Sequence, residues 1–172
     1  MSSPVTTYYL EICNREDLIP EDCPDPRFWI GECTIPQFEY NRFLYHLVGR
    51  DWSWTDKYSW SDLDWKHYVE DANLRTWVGY YDGCPAGYFE LQKQAHHTIE
   101  ITYFGFTPAF VGKGLEGSLL THAITSAWAW EGKRVWAHIS SLDHPHALSN
   151  YQARGMTIYE TDVAYPDGMD EA

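Results

Sequence analysis

Residues 98–131 contain, in immediate succession, a strand-like segment, a glycine-rich turn and a long apolar helix. Apolar residues alternate along the first part, which predicts a strand with both faces covered, and Gly105 is expected to end it. Three glycines follow, Gly112, Gly114 and Gly117. Without side chains, they allow main-chain N–H groups to converge at the positive end of the helix. The stretch therefore predicts a site for phosphate.

Composition limits what this site can serve. The 172 residues are 44% hydrophobic, enough for one core, so we expect one domain over residues 1–165 and a loose acidic tail over 166–172. The formal net charge is −13. Because nucleic-acid binding depends on Lys and Arg, this balance argues against a nucleic-acid partner and favours cationic or neutral substrates.

The cysteines and the hydropathy pattern suggest where the protein works. No CxxC pair, no basic and apolar leader and no apolar run near the ~20 residues of a membrane span is present. We expect reduced thiols, a cytoplasmic protein and no membrane association. No set of His and Cys has zinc spacing, so no metal is predicted.

The N-terminal part predicts a strand, a loop and a helix. Residues 6–12 are β-branched and aromatic, as in a strand, whereas 14–36 are interrupted by prolines and are expected to form a structured loop. Thr34 and Gln37 have the spacing of a capping box, and apolar residues then recur at helical intervals as far as Gly49.

The stretch 51–65 mixes Trp and Asp residues. Ser61 and Asp64 have the spacing of a second helix start. The Trp and Asp residues before it predict either an acidic aromatic pocket for a cation or a loop whose rings fill the core while its carboxylates face water. For the first reading the candidate substrate-binding residues are Trp52, Trp54 and Trp60.

The second half predicts most of a sheet. Residues 76–81 and 86–91 flank an Asp-Gly turn and should form a hairpin that continues into the strand before the glycine turn. Residues 134–140 form a further strand, expected to lie parallel to that one. A helix over 146–154 and a last strand from 156 to 159 complete an α/β arrangement.

This order of elements, with the ALSNYQARGM junction near the end, resembles the GCN5-related N-acetyltransferase superfamily, and residues 76–159 carry the resemblance. It implies a GNAT-type acyl-CoA N-acyltransferase fold, a mixed twisted sheet of about six to seven strands with flanking helices, and acetyl-CoA as co-substrate. The family's pyrophosphate motif falls on residues 111–116. Its first position, usually Arg or Gln, is Val111, and its last, usually Gly or Ala, is Glu116.

The resemblance also implies roles for individual residues. Tyr151, four residues after Ala147, matches the family's general acid. Glu100 is one candidate base, and Asp143 with His144 is a second, His144 standing where the family commonly has Asn. Glu100 and His138 are further candidates for substrate contact, although His138 also fits a wall residue. The implied cofactor-binding residues are Phe104, Phe106, Thr107, Val111, Gly112, Lys113, Gly114, Leu115, Glu116 and Gly117.

The expected activity is transfer of acetyl from acetyl-CoA to the primary amine of a small molecule; a protein N-terminus or lysine stays open as acceptor. Val111 and Glu116 instead favour a non-catalytic acyl-CoA-binding or regulatory module on the same fold. The three glycines also spell GxGxxG, a weak dinucleotide fingerprint. Family members often pair, so a homodimer is compatible with the resemblance, and nothing in the chain fixes the oligomeric state.

Overall fold

The computed structural model describes residues 3–165, which form a seven-stranded sheet with four α-helices. The strands are β1 (Val5–Ile12), β2 (Phe28–Glu32), β3 (Leu74–Tyr81), β4 (Cys84–Gln94), β5 (Thr98–Phe106), β6 (Arg134–Ser140) and β7 (Thr157–Ala164). The helices are α1 (Phe38–Gly49), α2 (Asp62–Glu70), α3 (Glu116–Ala129) and α4 (Ala147–Ala153). This confirms the expected mixed α/β sheet; the predicted tail over 166–172 lies outside the described residues.

The strand order is β2-β3-β4-β5-β6-β1-β7. Strands β3, β4 and β5 form the expected antiparallel meander, and β5 pairs with β6 in parallel. The N-terminal strand β1 lies between β6 and β7 in the sheet and is antiparallel to both. Sequence pattern predicted β1 as a strand but gave no place for it.

Two predictions for the N-terminal part are wrong. The expected loop over 14–36 contains strand β2, which pairs with β3 at the sheet edge. The capping box of Thr34 and Gln37 is not formed: Gln37 is the N-cap of α1 and makes no side-chain cap hydrogen bond. The second capping box is confirmed, since the Ser61 hydroxyl accepts from the Asp64 N–H and the Asp64 carboxylate accepts from the Ser61 N–H.

Strand β5 carries a bulge that decides which side chains face each layer. Ile101 lies opposite Leu91 and Tyr103 lies opposite Glu90, so Thr102 is the extra residue. In a regular strand Ile101 and Tyr103 would face the same side of the sheet, but the bulge puts them on opposite sides. Ile101 packs in the core beside α3, whereas Tyr103 packs with residues of α1 and α2.

Gly105 does not end the strand, contrary to the sequence prediction. β5 continues through it to Phe106. A Cβ on Gly105 would lie 2.6 Å from Cγ1 of Val48. The absence of a side chain at Gly105 therefore allows α1 to approach the strand closely.

The two faces of the sheet are covered by different helices. The apolar side of α3, including Leu119, Ala123 and Ile124, is fully buried against the strands. On the other face, Leu44 and Val48 of α1 and Trp65 of α2 are almost completely buried. Burying such large apolar side chains contributes about 1.5–3 kcal/mol each, so the two layers hold the sheet between them.

Strands β5 and β6 pair over a short length only. Their register contains three pairs, from Thr98 with Arg134 to Glu100 with Trp136. Beyond Glu100 they diverge, while the other edge of β6 stays paired with β1 as far as Ser140. The sheet therefore opens into a cleft between β5 and β6.

Candidate active site

The cleft between β5 and β6 contains a cavity of about 410 Å³. Every residue of β5 from Ile101 to Phe106 lines it. Because β5 has no strand partner on this edge beyond Glu100, its outward-facing main-chain groups are free to pair with an extended ligand carrying amides.

The glycine turn lies at one end of the cleft. Gly112 and Gly114 have φ values of +72° and +79°, and a Cβ on either would meet no atom within 4 Å. The N-cap of α3, Leu115, supplies no side-chain cap, so the first N–H groups of the helix have no such partner. Such an arrangement favours an anion.

A carboxylate already contacts this turn. Glu116, the first residue of α3, lines the cavity and accepts a hydrogen bond from the Gly112 N–H at 3.2 Å. The neighbouring Val111 also lines the cavity, with an apolar side chain where a polar one would bind an anion.

Four other predicted cofactor residues lie outside the cavity lining. Leu115 is buried in the core. The Thr107 hydroxyl donates to the Pro85 and Ala86 carbonyls. A Cβ on Gly117 would clash with the Glu21 carboxylate and the Arg154 guanidinium. Gly117 therefore makes room for the Glu21–Arg154 ion pair over α3. Lys113 is exposed and lies outside the cavity lining.

Tyr151 faces the cleft from α4. Its ring lines the cavity and meets the Phe104 ring edge-on, with 5.8 Å between centroids. Burial first, and then the charge of Asp143, raise the pKa of the Tyr151 phenol. The group therefore stays protonated and is a hydrogen-bond donor at neutral pH.

Asp143 and Trp54 join two loops across the cleft. The Trp54 indole donates to Oδ1 of Asp143 at 3.2 Å, and the Ser140 N–H donates to its Oδ2 at 2.8 Å. Burial raises the pKa of the Asp143 carboxyl above its ordinary value, although these two hydrogen bonds act in the opposite direction. With both oxygens engaged, Asp143 holds the loop after α1 against the end of β6.

His144 is held in one tautomer. Its Nδ1 accepts from the His146 N–H at 3.0 Å, so the neutral ring carries its proton on Nε2 and has no free lone pair. Its ring meets Trp52 edge-on, with 5.1 Å between centroids. This geometry suits a wall residue better than a base.

His138 and Glu100 face each other across β5 and β6. Nε2 of His138 lies 3.7 Å from Oε1 of Glu100; the His138 side chain is 51% exposed and that of Glu100 is 12% exposed. His138 lines the cavity. The amide of Gln94 donates to Glu100 at 3.0 Å and accepts from the Trp136 indole at 3.0 Å, which fixes the carboxylate behind the histidine. Burial raises the pKa of Glu100, against the lowering effects of His138 and Gln94.

Trp60, the third predicted substrate contact, lies outside the cavity lining. Its ring lies 4.2 Å from the Lys57 ammonium, which Tyr68 and Tyr103 also surround. Trp60 thus encloses a cation of the protein itself. The stretch 51–65 combines both expected arrangements, because Trp52 and Trp54 line the cavity while Trp60 packs against the buried Trp65.

The sequence did not single out two polar residues of the site. Asp56 lines the cavity and accepts hydrogen bonds from the hydroxyls of Tyr45 and Tyr103. Asn150, also in the lining, donates from Nδ2 to the Glu116 carbonyl at 3.2 Å. The position of Asp56 beside Trp54 was a usable signal; the Asn150 contact depends on packing of α4 on α3.

A mixed sheet that opens between two parallel strands, with a glycine turn and helix at the opening, defines the acyl-CoA N-acyltransferase class of fold. The chain belongs to the GNAT family of acetyltransferases, whose family model matches residues 41–156. Among the strands of residues 3–165, β5 and β6 are the single parallel pair, so the doubly wound sheet needed by the dinucleotide interpretation of GxGxxG is not formed and that interpretation is wrong.

Solved structures support the same fold. A GCN5-related N-acetyltransferase from Kribbella flavida superposes with a TM-score of 0.67 at 16% identity, over 95% of this chain and 59% of that one. A GCN5-related N-acetyltransferase from Sphaerobacter thermophilus superposes with a TM-score of 0.65 at 14% identity, over 92% of this chain and 50% of that one. An aminoglycoside acetyltransferase from an uncultured soil metagenomic sample superposes with a TM-score of 0.64 at 14% identity, over 85% of this chain and 99% of that one.

At such identities these likenesses show the fold alone. The chain spans three-fifths or less of the first structures it matches. No curated protein matches its sequence.

None of the helices within residues 3–165 has the length and apolar character that a membrane crossing requires. Over the same residues, no cluster of three or more His, Cys, Asp and Glu side chains is arranged to hold a metal ion.

Proposed function

We propose that the protein transfers an acetyl group from acetyl-CoA to the primary amine of a small molecule. The observation that carries the proposal is the cleft itself: Tyr151 lies in its wall on the α3 and α4 side, and His138, backed by Glu100, lines it from β6. A thioester held between them would have a proton donor and a proton acceptor within one cavity.

The donor fits the cleft in two places. The unpaired edge of β5 between Ile101 and Phe106 offers main-chain partners to the amides of a pantetheine arm. The turn at Gly112 and Gly114, where no side chain crowds the main chain, offers N–H groups to a diphosphate once the Glu116 carboxylate leaves the Gly112 N–H. When bound, acetyl-CoA supplies an activated acyl group; the residues below bind, orient and move protons.

His138 is the proposed base. It is exposed to the cavity, and Glu100 lies behind it on a hydrogen-bonded chain through Gln94 to Trp136. A carboxylate there orients the imidazole and stabilises the imidazolium formed when a proton is taken from the acceptor ammonium. Glu100 is thus a positioning residue in this scheme.

Tyr151 is the proposed acid. Because burial and Asp143 raise its pKa, the phenol keeps its proton and stabilises the departing thiolate chiefly as a hydrogen-bond donor. Main-chain N–H groups of β5 near Phe106 are the candidates for polarising the thioester carbonyl.

The wall of the cavity favours a cationic acceptor, with aromatic character tolerated. Within residues 3–165, Asp143 and Glu116 line it without a basic partner, Asp56 lines it but is paired with the Lys57 ammonium at 3.2 Å, and none of its described lining residues is Lys or Arg. Trp52, Trp54 and Tyr103 add ring faces and edges.

The experiment is a thiol-release assay with acetyl-CoA over a panel of an arylalkylamine, an aliphatic diamine, an aminoglycoside and a lysine peptide. We expect turnover with at least one small amine. His138→Gln should lower kcat strongly, because the proposed base is lost, whereas Glu100→Gln should lower kcat less, because the imidazole remains. If neither substitution lowers turnover, the assignment of His138 as the base and Glu100 as its positioning residue is contradicted.

The second candidate, an acyl-CoA-binding module without catalysis, is favoured by one observation, the Glu116 carboxylate on the Gly112 N–H. Calorimetry separates the two. Binding of acetyl-CoA with no thiol release on any amine supports the module; release supports the enzyme.

A further inference from the structure

The side chain of Glu116 folds back across the glycine turn. Its carboxylate accepts from the Gly112 N–H at 3.2 Å, although Glu116 itself belongs to the first turn of α3. The main chain of Glu116 is held from the other side, because Asn150 of α4 donates to its carbonyl at 3.2 Å. The carboxylate thus occupies a main-chain donor that the proposed donor diphosphate would use.

Basic groups near the turn do little to offset this carboxylate: Arg154, which lies beside the first turn of α3, is already paired with Glu21. Val111 is apolar, and no Lys or Arg is among the described residues that line the cavity. Lys113 lies between the two glycines but is exposed to solvent, where screening weakens its effect. A diphosphate entering here must displace the Glu116 carboxylate from Gly112 and then remain close to it, and like charges at such range repel.

The pantetheine part of the cleft has no such conflict. The free edge of β5 presents main-chain groups, and Phe104, Phe106 and Tyr151 provide apolar or neutral walls. Neither surface distinguishes a phosphorylated donor from an unphosphorylated one.

We propose that Glu116 is a specificity-determining residue for the acyl donor, which makes recognition depend on the pantetheine arm and penalises the diphosphate. The inference rests on the proposed function, since it concerns the donor of that reaction. The protein should accept pantetheine thioesters that lack the nucleotide almost as readily as CoA thioesters. Removal of the Glu116 charge should shift the preference towards CoA.

Calorimetric titration of CoA and of pantetheine into wild type, Glu116→Gln and Glu160→Gln tests this. Gln keeps the size of the side chain and an oxygen that accepts from Gly112, so only the charge is lost. Glu160→Gln makes the same change in net charge on the exposed strand β7. Thermal unfolding of each variant shows that it is folded, and Glu116→Ala is a second variant at the turn.

The expected result is a gain of about tenfold or more in CoA affinity for Glu116→Gln, which corresponds to about 1.4 kcal/mol. Pantetheine affinity should stay the same, and Glu160→Gln should behave as wild type. Unchanged or weaker CoA binding by Glu116→Gln and Glu116→Ala overturns the inference, as does an equal gain for pantetheine or for Glu160→Gln. If neither ligand binds any variant, the proposed function fails as well.

Discussion

Replacing Tyr151 with Phe removes one oxygen atom from the cleft wall and leaves the ring against Phe104. The Tyr151 ring is buried, but its side chain lines the cavity and its hydroxyl is not among the buried polar atoms that lack a partner within the described residues. The hydroxyl makes no hydrogen bond with residues 3–165 that holds the fold together, so removing it should not lower the free energy of unfolding. Any loss of activity then reports on chemistry.

The size of that loss follows from the proposed role. A hydrogen bond to a charged group contributes about 1.5–3 kcal/mol, and about 1.36 kcal/mol changes a rate tenfold. If Tyr151 donates to the departing thiolate, kcat of Tyr151→Phe should fall about ten- to a hundredfold. KM for acetyl-CoA should change little, because the hydroxyl interacts with sulfur only as charge develops. The thiol-release assay with the best amine of the panel measures both.

Tyr88→Phe is a matched control. Tyr88 is fully buried, its hydroxyl has no partner within the described residues, and it lies outside the cavity lining. It should gain or keep stability and retain full activity. The reasoning is refuted if Tyr151→Phe keeps wild-type kcat, or if it loses activity only together with stability or CoA affinity.

Three further predictions concern the cleft and its support. Trp54→Phe removes the indole hydrogen bond to Asp143, so KM for the amine should rise severalfold in the thiol-release assay with little change in CoA affinity; an unchanged KM would contradict the bridging role. Burial raises the pKa of Glu90, so the folded state binds this proton more tightly than the unfolded state does. The contribution of Glu90 to stability therefore declines as pH rises through its folded pKa. In denaturant titrations the free energy of unfolding of Glu90→Gln should change less with pH than that of wild type, and an equal change would contradict this prediction. Gly105→Ala places a methyl group 2.6 Å from Cγ1 of Val48. It should cost about 1–3 kcal/mol by overpacking, measured by urea unfolding, and a neutral effect would show that α1 can move away.

Local signals predicted much of the element list. The hairpin of β3 and β4, strand β6 and the capping box of Ser61 depend on short-range pattern and turn chemistry, and each was found. The predictions failed where packing overrides pattern. Strand β2 exists because its main chain pairs with β3, a contact that its proline-interrupted surroundings do not reveal.

Some residues of the candidate site could likewise be recognised from the sequence, whereas the roles of others depend on their neighbours in the fold. The glycines at 112 and 114 were recognisable because their left-handed main chain needs residues without a Cβ. His138 could not be ranked above His144 from sequence, because the difference lies in their partners: a carboxylate faces His138, whereas a main-chain N–H occupies Nδ1 of His144. Those partners come from distant or non-periodic parts of the chain.

The sequence by itself determined that a strand, a glycine turn and a long helix follow one another, since alternation, missing side chains and helical periodicity are local properties. Only the tertiary structure decided that β5 and β6 part after Glu100, that β1 lies beside β6, and that the Glu116 carboxylate reaches Gly112. Pairing between distant strands and the direction of a side chain depend on every neighbour packed around them, and no local pattern encodes that sum.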